Sequence, residues 1–143
     1  MRSIKVKDCM TPKVVTLSPD IQIIEAIRIL LQHDITAAPV INKGGELIGI
    51  LSETDCLQGT LISSYHSQGG GVVHEHMTKD VDSASPEDDI ISVYQHFMTH
   101  RAFRIPVIDE GAVVGMLSPK DLMSAVLEFF EKPSVNQLHT SHL

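Results

Sequence analysis

Two short stretches carry the residues best suited to chemistry: Gly49 to Asp55 (GILSETD) and Gly115 to Asp121 (GMLSPKD). In each, an apolar run ends on a serine, and an aspartate follows three residues later. A strand that turns into a helix at such a serine leaves free backbone N–H groups at the helix start. Those groups and the helix dipole favour an anion. Ser118 offers a hydroxyl, Lys120 a positive charge, and Asp121 can accept hydrogen bonds from two vicinal hydroxyls. Ser52 and Asp55 hold the matching places in the first stretch, with Thr54 where the second has Lys120. The same spacing is close to a capping box, in which the serine and the acid satisfy each other's backbone N–H groups and bind nothing. From these residues alone, capping and a pair of ligand pockets are both open.

Other groupings carry less. His74-Glu75-His76 has no third ligand at a sensible spacing, so no metal site is expected from it. Cys9 and Cys56 form neither a metal-ligand pair nor a disulfide framework. Gly69-Gly70-Gly71 lacks the Gly-Lys-Ser/Thr ending and the preceding strand of a phosphate loop, and reads as a flexible connector. No nucleophile stands with an acid–base partner, so an enzyme is not expected. A net charge of −7 argues against a nucleic-acid backbone as partner, and 4% aromatics with no Trp against a base-stacking platform. No apolar run approaches the ~20 residues of a membrane span. The opening Met1 to Met10 lacks the apolar run of a secretory signal, so the expectation is a cytoplasmic protein with no membrane partner.

The elements that must position these residues come from a duplication. Shifted by 67 positions, Val6, Met10, Thr11, Ser18 and Pro19 fall on Val73, Met77, Thr78, Ser85 and Pro86, and Pro39-Val40-Ile41 falls on Pro106-Val107-Ile108. After a one-residue deletion, Gly49, Ser52 and Asp55 fall on Gly115, Ser118 and Asp121. Each unit predicts a short strand (Val14 to Leu17; Val81 to Ala84) and a helix entered through Ser-Pro and acids. Apolar residues at helical spacing follow: Ile23, Ile24, Ile27, Leu30 and Leu31, then Ile90, Ile91, Tyr94, Phe97 and Met98. Two strands around a Gly turn and a second helix from Ser52 or Ser118 complete a β-α-β-β-α order, twice. The fold class is α+β (α/β), with units at 6–66 and 73–131, a connector at 67–72 that could hinge them, and a tail at 132–143 expected to fray.

The duplicated unit, its MTPKVVTLSPD opening, the APVI and RIPVI strands and the two Ser-x-x-Asp closings resemble the cystathionine-β-synthase (CBS) domain family. Two such domains in tandem resemble a CBS pair, or Bateman module, over about Val6 to Phe129. The resemblance implies two units packed about a pseudo-twofold axis with two clefts between them. It also implies adenine-nucleotide binding in a regulatory sensor without chemistry, needing no cofactor beyond that ligand. By the family pattern the Asp holds the ribose and the Ser or Thr positions face the phosphate.

One cleft would then hold Ser118, Lys120, Asp121 and Arg104, completed by Pro12, Lys13, Ile35 and Thr36. The other would hold Ser52, Thr54, Asp55 and Ala37, completed by Ala102, Phe103, Met77 and Lys79. Arg104 precedes Pro106 by two, where the first unit has Ala37, and its planar fork suits phosphate; the Asp121 cleft is therefore favoured. Phe103 stands where some nucleotide-binding relatives carry His, which removes one phosphate contact from the Asp121 cleft. Arg104 could instead pair with Asp109 or Glu110. The alternative function is an interaction module with empty clefts, or one holding another adenosyl ligand such as S-adenosylmethionine. An effector protein of unknown identity is implied. A homodimer is expected through apolar helix residues, among them Ile27, Leu31, Tyr94, Met98, Met123, Leu127 and Phe130.

Overall fold

In the computed structural model, residues 3–62 and 69–131 are described. Ser67 and Gln68 of the expected connector and the expected tail at 132–143 lie outside the described residues. Each repeat centres on an antiparallel hairpin: β1 (Ala37–Ile41) with β2 (Leu47–Ser52), and β3 (Ile105–Asp109) with β4 (Ala112–Leu117). The registers match, Pro39 opposite Ile50 and Pro106 opposite Met116, with an irregularity after Val40 and after Val107. In the second hairpin Glu110 and Gly111 both have positive φ, +50° and +81°, the requirement of a tight two-residue turn. In the first, the Asn42 side chain accepts from the Gly44 and Glu46 N–H groups at 2.9 and 3.0 Å.

The helices α1 (Ile23–Gln32) and α3 (Ile90–His100) cover these hairpins, and each starts later than the Ser-Pro signal suggests. The serines do not cap them. Ser18 Oγ accepts from the Asp20 N–H at 3.3 Å, and the Ser85 N–H donates to Asp88 at 2.8 Å, so both stretches close as local turns. Asp89 caps α3 by accepting from the Ile91 N–H at 2.7 Å. The expected first strands also shrink. Only Leu17 and Ala84 pair, each as a single parallel bridge to Val40 or Val107.

The turns stay out of the helices because their carbonyls serve the other repeat. Val6 and Lys7 donate to Asp88 and Pro86 at 2.8 and 2.9 Å; Val73 and His74 donate to Ile21 and Pro19 at 2.9 and 3.0 Å. Three-residue 3-10 turns, Val6–Asp8 and Val73–Glu75, make these contacts. Each repeat thus lends its opening segment to its neighbour. Val6, fully buried, belongs to the core of Ile90, Val93, Phe97, Val107, Leu117 and Leu122, while Val73, equally buried, belongs to the core of Leu17, Ile23, Leu30, Val40, Leu51 and Cys56. Lys5 and Lys7 straddle Glu87 at 2.8 and 2.9 Å and hold its carboxyl down at about 2; being exposed, these pairs orient the segment more than they stabilise it.

The Met-Thr pair after each opening segment then crosses the neighbour's hairpin. Thr11 bonds both ways with Met116, at 3.0 and 3.1 Å, and Thr78 both ways with Ile50, at 2.8 and 2.9 Å. Gly115 and Gly49 make room for the methionines: a Cβ at Gly115 would stand 2.5 Å from Met10 Sδ, and one at Gly49 2.7 Å from Met77 Sδ and 2.9 Å from the Thr78 carbonyl oxygen. The methionine can move; the carbonyl, held in the Ile50 bridge, cannot. Gly49→Ala should therefore cost roughly 1–3 kcal/mol of unfolding free energy, measurable in urea, and an unchanged midpoint would contradict this packing.

The glycine triplet is not a loose connector at its described end. Gly70 is buried with φ +94°, and a Cβ there would stand 2.9 Å from Thr60 Cγ2, while the Gly71 carbonyl accepts from the Ile23 N–H at 2.9 Å. Left-handed backbone packed against α1, rather than hinge freedom, accounts for these glycines.

The last described elements of the first unit are α2 (Glu53–Leu57) and a π-helical turn, Gln58–Ile62; that of the second is the longer α4 (Pro119–Glu131). The fold is a duplicated α+β unit whose two halves hold each other's cores closed.

A candidate nucleotide cavity between the repeats

β4 delivers the chain to Ser118, and α4 begins at the next residue. Asp121 Oδ2 accepts from the Ser118 N–H at 2.8 Å and from its hydroxyl at 3.2 Å. From the other repeat, the Thr11 hydroxyl donates to Asp121 Oδ1 at 3.0 Å. The Asp121 N–H bonds the Ser118 carbonyl at 3.0 Å, so the serine hydroxyl is not committed to capping the helix. Only half of a capping box is made here.

Around this turn lies a cavity of about 720 Å³ with walls from both repeats. Of the residues expected in the favoured cleft, Ser118, Lys120, Asp121, Arg104, Lys13, Ile35 and Thr36 line it; Pro12 does not, although Thr11 and Lys13 on either side of it do. Ala37 and Phe103, expected in the second cleft, line this cavity too, because the segments entering β1 and β3 run along its walls. Val14, Val15, Asp34 and Ser124 complete much of the remainder and were not anticipated. Thr11 also escaped notice, although the Met-Thr pair standing in both repeats was a signal for it.

Three cations, Lys13, Arg104 and Lys120, line the cavity with two carboxylates, Asp34 and Asp121. Among the described residues none of the three is in an ion pair, and Arg104 does not pair with Asp109 or Glu110. An excess of one positive charge, three cations to two carboxylates, beside apolar Val14, Val15, Ile35 and Phe103 suits a ligand with an anionic end and a flat apolar end.

At the matching turn of the first repeat the capping box is complete. The Ser52 N–H donates to Asp55 Oδ2 at 2.9 Å, and the Asp55 N–H donates to Ser52 Oγ at 3.2 Å. The Thr54 and Ser52 hydroxyls lie 3.0 Å apart, and Thr78 reaches Asp55 Oδ2 at 3.4 Å. Met77 is half-buried against the first core and Gly49, whereas Lys79 and Ala102 are exposed. The serine that could serve a ligand at Asp121 serves the helix at Asp55.

Two thiols flank the two turns. Burial pushes the Cys9 thiol up to about 11, with the Asp121 and Asp8 carboxylates adding to it, and burial with Asp55 pushes Cys56 up to about 11. Both are raised from an ordinary 9.0, so the neutral thiols favour the folded chain fully below pH 9, and that contribution fades as the pH rises through about 11. Iodoacetamide at pH 8.5 should label both thiols roughly ten- to a hundred-fold more slowly than in the urea-unfolded chain. Equal rates by mass spectrometry would contradict the burial.

Comparison with known proteins places this geometry. The model of the CBS domain matches twice, at residues 6–60 and 73–128. The chain is 32% identical to the CBS domain-containing protein YhcV of Bacillus subtilis over 117 residues, 82% of this chain and 81% of YhcV. It spans only 15% to 41% of several longer curated relatives, enzymes among them. Among solved structures, the CBS domain pair of protein MJ0100, in complex with 5′-methylthioadenosine and S-adenosyl-L-methionine, is 25% identical with a TM-score of 0.78, covering 90% of this chain and 99% of that one. CBSX2 of Arabidopsis thaliana in complex with AMP is 24% identical with a TM-score of 0.79, covering 89% of this chain and 98% of that one; this likeness shows the fold. With both repeats matched and their hairpins, helices and cross-docked segments related one to one, the chain belongs to the CBS domain family and carries two CBS domains in tandem.

Proposed function

We propose that this CBS pair is a regulatory module that takes an adenine nucleotide of the AMP, ADP or ATP class in the Asp121 cavity. Its occupancy is relayed to an effector protein or to the chain's own assembly. The observation that carries this reading is the cavity itself: about 720 Å³, walled by both repeats, with two carboxylates, Asp34 and Asp121, and three cations that have no ion-pair partner among the described residues. That volume lies within the ~300–1,000 Å³ of small-molecule sites.

A carboxylate offers about four acceptor positions, of which Asp121 uses three on the protein. One ribose hydroxyl takes the free position on Oδ1. The second takes the place of the Ser118 hydroxyl, which turns to the phosphate. Arg104 and Lys120 hold the anionic end, and the adenine lies against Val14, Val15, Ile35 or Phe103. The ligands bound to the MJ0100 pair share the adenosyl part of such a ligand, and the AMP of CBSX2 has its phosphate as well.

The second reading, S-adenosylmethionine or methylthioadenosine, is favoured by the MJ0100 complex alone. S-adenosylmethionine brings a sulfonium toward Lys13, Arg104 and Lys120, so phosphorylated ligands should win.

A route for relay is also present. Phe103 and Pro119 line both the Asp121 cavity and an apolar groove of about 670 Å³ that includes Tyr94, Met98, Met123 and Leu127. Leu31, Tyr94, Met98, Met123, Leu127 and Phe130 are exposed, as a self-association face requires, while Ile27 packs against the first core. We assign this face to a homodimer. Among the described residues no helix is long and apolar enough to cross a membrane.

A thermal-shift panel of AMP, ADP, ATP, S-adenosylmethionine and methylthioadenosine tests the ligand. A ligand at 100 times its Kd adds about 2.7 kcal/mol, a rise of roughly 5–10 °C. AMP, ADP or ATP should give the larger shifts. A larger shift with S-adenosylmethionine would favour the second reading, and no shift with any of them an interaction module with empty clefts.

A further inference from the structure

Outside the nucleotide cavity, Asp82, His96 and His100 bring three ligand atoms together, one from each residue and all within 4.8 Å of one another. We propose that they form a binding site for one zinc ion.

The two histidines stand four apart on α3, so their rings share a face; the ring centroids are 4.3 Å apart. Asp82 comes from the segment that enters the bridge at Ala84, and its Oδ2 lies 3.7 Å from His96 Nε2. Tetrahedral zinc with bonds of about 2.0–2.2 Å separates its ligand atoms by about 3.3–3.6 Å. Small side-chain rotations therefore close the set onto one ion. Two imidazoles and one carboxylate select zinc over the calcium and magnesium that all-oxygen sites prefer. Three protein ligands leave the fourth position to water. His96 is half-buried, its side chain 22% exposed, while Asp82 and His100 are open to solvent, so the ion has an entry path.

The location gives the ion a task independent of the nucleotide reading. At 100° per residue, His96 and His100 lie on the flank of α3 opposite Tyr94 and Met98, clear of the apolar groove. His100 is the last residue of α3, followed by Arg101 in left-handed backbone and then by Phe103 and Arg104 of the cavity wall. Zinc ties this helix end to the 80–82 segment and stiffens the exit from α3.

The test is calorimetric titration of the untagged full chain with zinc chloride, with cobalt(II) absorption reporting a tetrahedral site. The wild type should bind zinc at micromolar concentration. His96→Gln combined with His100→Gln should remove one equivalent or weaken it at least tenfold, with an unchanged circular-dichroism melt in the absence of metal. Asp82→Asn, which leaves α3 intact, should weaken binding severalfold. Absence of micromolar binding, or zinc binding by the double variant equal to the wild type, the ion then residing on other histidines, would overturn the site.

Discussion

Asp121→Ala is expected to weaken AMP binding by roughly ten- to a hundredfold, removing most of the thermal shift, while Asp55→Ala leaves at least half of it. A hydrogen bond to a charged group contributes roughly 1.5–3 kcal/mol, and in the proposed complex one of the two ribose hydroxyls only replaces the Ser118 hydroxyl on this carboxylate, so about one such bond is lost. Asp121 also holds the Ser118 N–H and the Thr11 hydroxyl, so the variant should be less stable without ligand by about 1 kcal/mol. The decisive quantity is the shift on adding AMP, measured against each variant's own unliganded melt. Arg104→Ala should narrow the preference of AMP over adenosine, since Arg104 supplies a planar cation for phosphate. If Asp55→Ala abolishes the shift and Asp121→Ala preserves it, the wrong cavity has been chosen.

Val6→Asp and Val73→Asp should each cost about 4 kcal/mol or more, because each places a carboxylate without a partner at a fully buried position. Their effects should cross the repeats. Val6 sits in the second unit's core, so Val6→Asp should speed amide exchange in β3, β4 and α3; Val73→Asp should do so in α1, β1 and β2. Loss of protection confined to the repeat in which the substitution lies would contradict the exchange of opening segments. Where either variant is too unstable for purification, Val6→Ala and Val73→Ala give the same crossed pattern at smaller amplitude.

Much of this was legible in the residues. The hairpins announce themselves through Lys43-Gly44-Gly45 and Glu110-Gly111, and the amphipathic spacing of Ile90 to Met98 marks α3. Ser118, Lys120, Asp121 and Arg104 line one cavity because the second hairpin sets Ile105 opposite Leu117, which brings the residue before β3 beside the one after β4. The crossed cores were not legible. Val6–Asp8 and Val73–Glu75 are single 3-10 turns, too short to show a period, and their partners lie more than 50 residues away in sequence. That pairing also explains why the Ser-Pro turns fail to start α1 and α3: their carbonyls are held by the other repeat. The placing of Ala37 in the Asp121 cavity depends on how the two halves face each other, which no local pattern encodes. His96 and His100 stand at a helical i, i+4 spacing visible in the sequence, but Asp82 joins them only through the fold.

A crystal structure of the chain grown with AMP tests the central claim most directly. The expected density is one nucleotide spanning the two repeats, with both ribose hydroxyls within hydrogen-bond distance of the Asp121 carboxylate and the phosphate beside Arg104 or Lys120. A nucleotide seated at Asp55 with the Asp121 cavity empty, or no nucleotide between the repeats at saturating AMP, would contradict it.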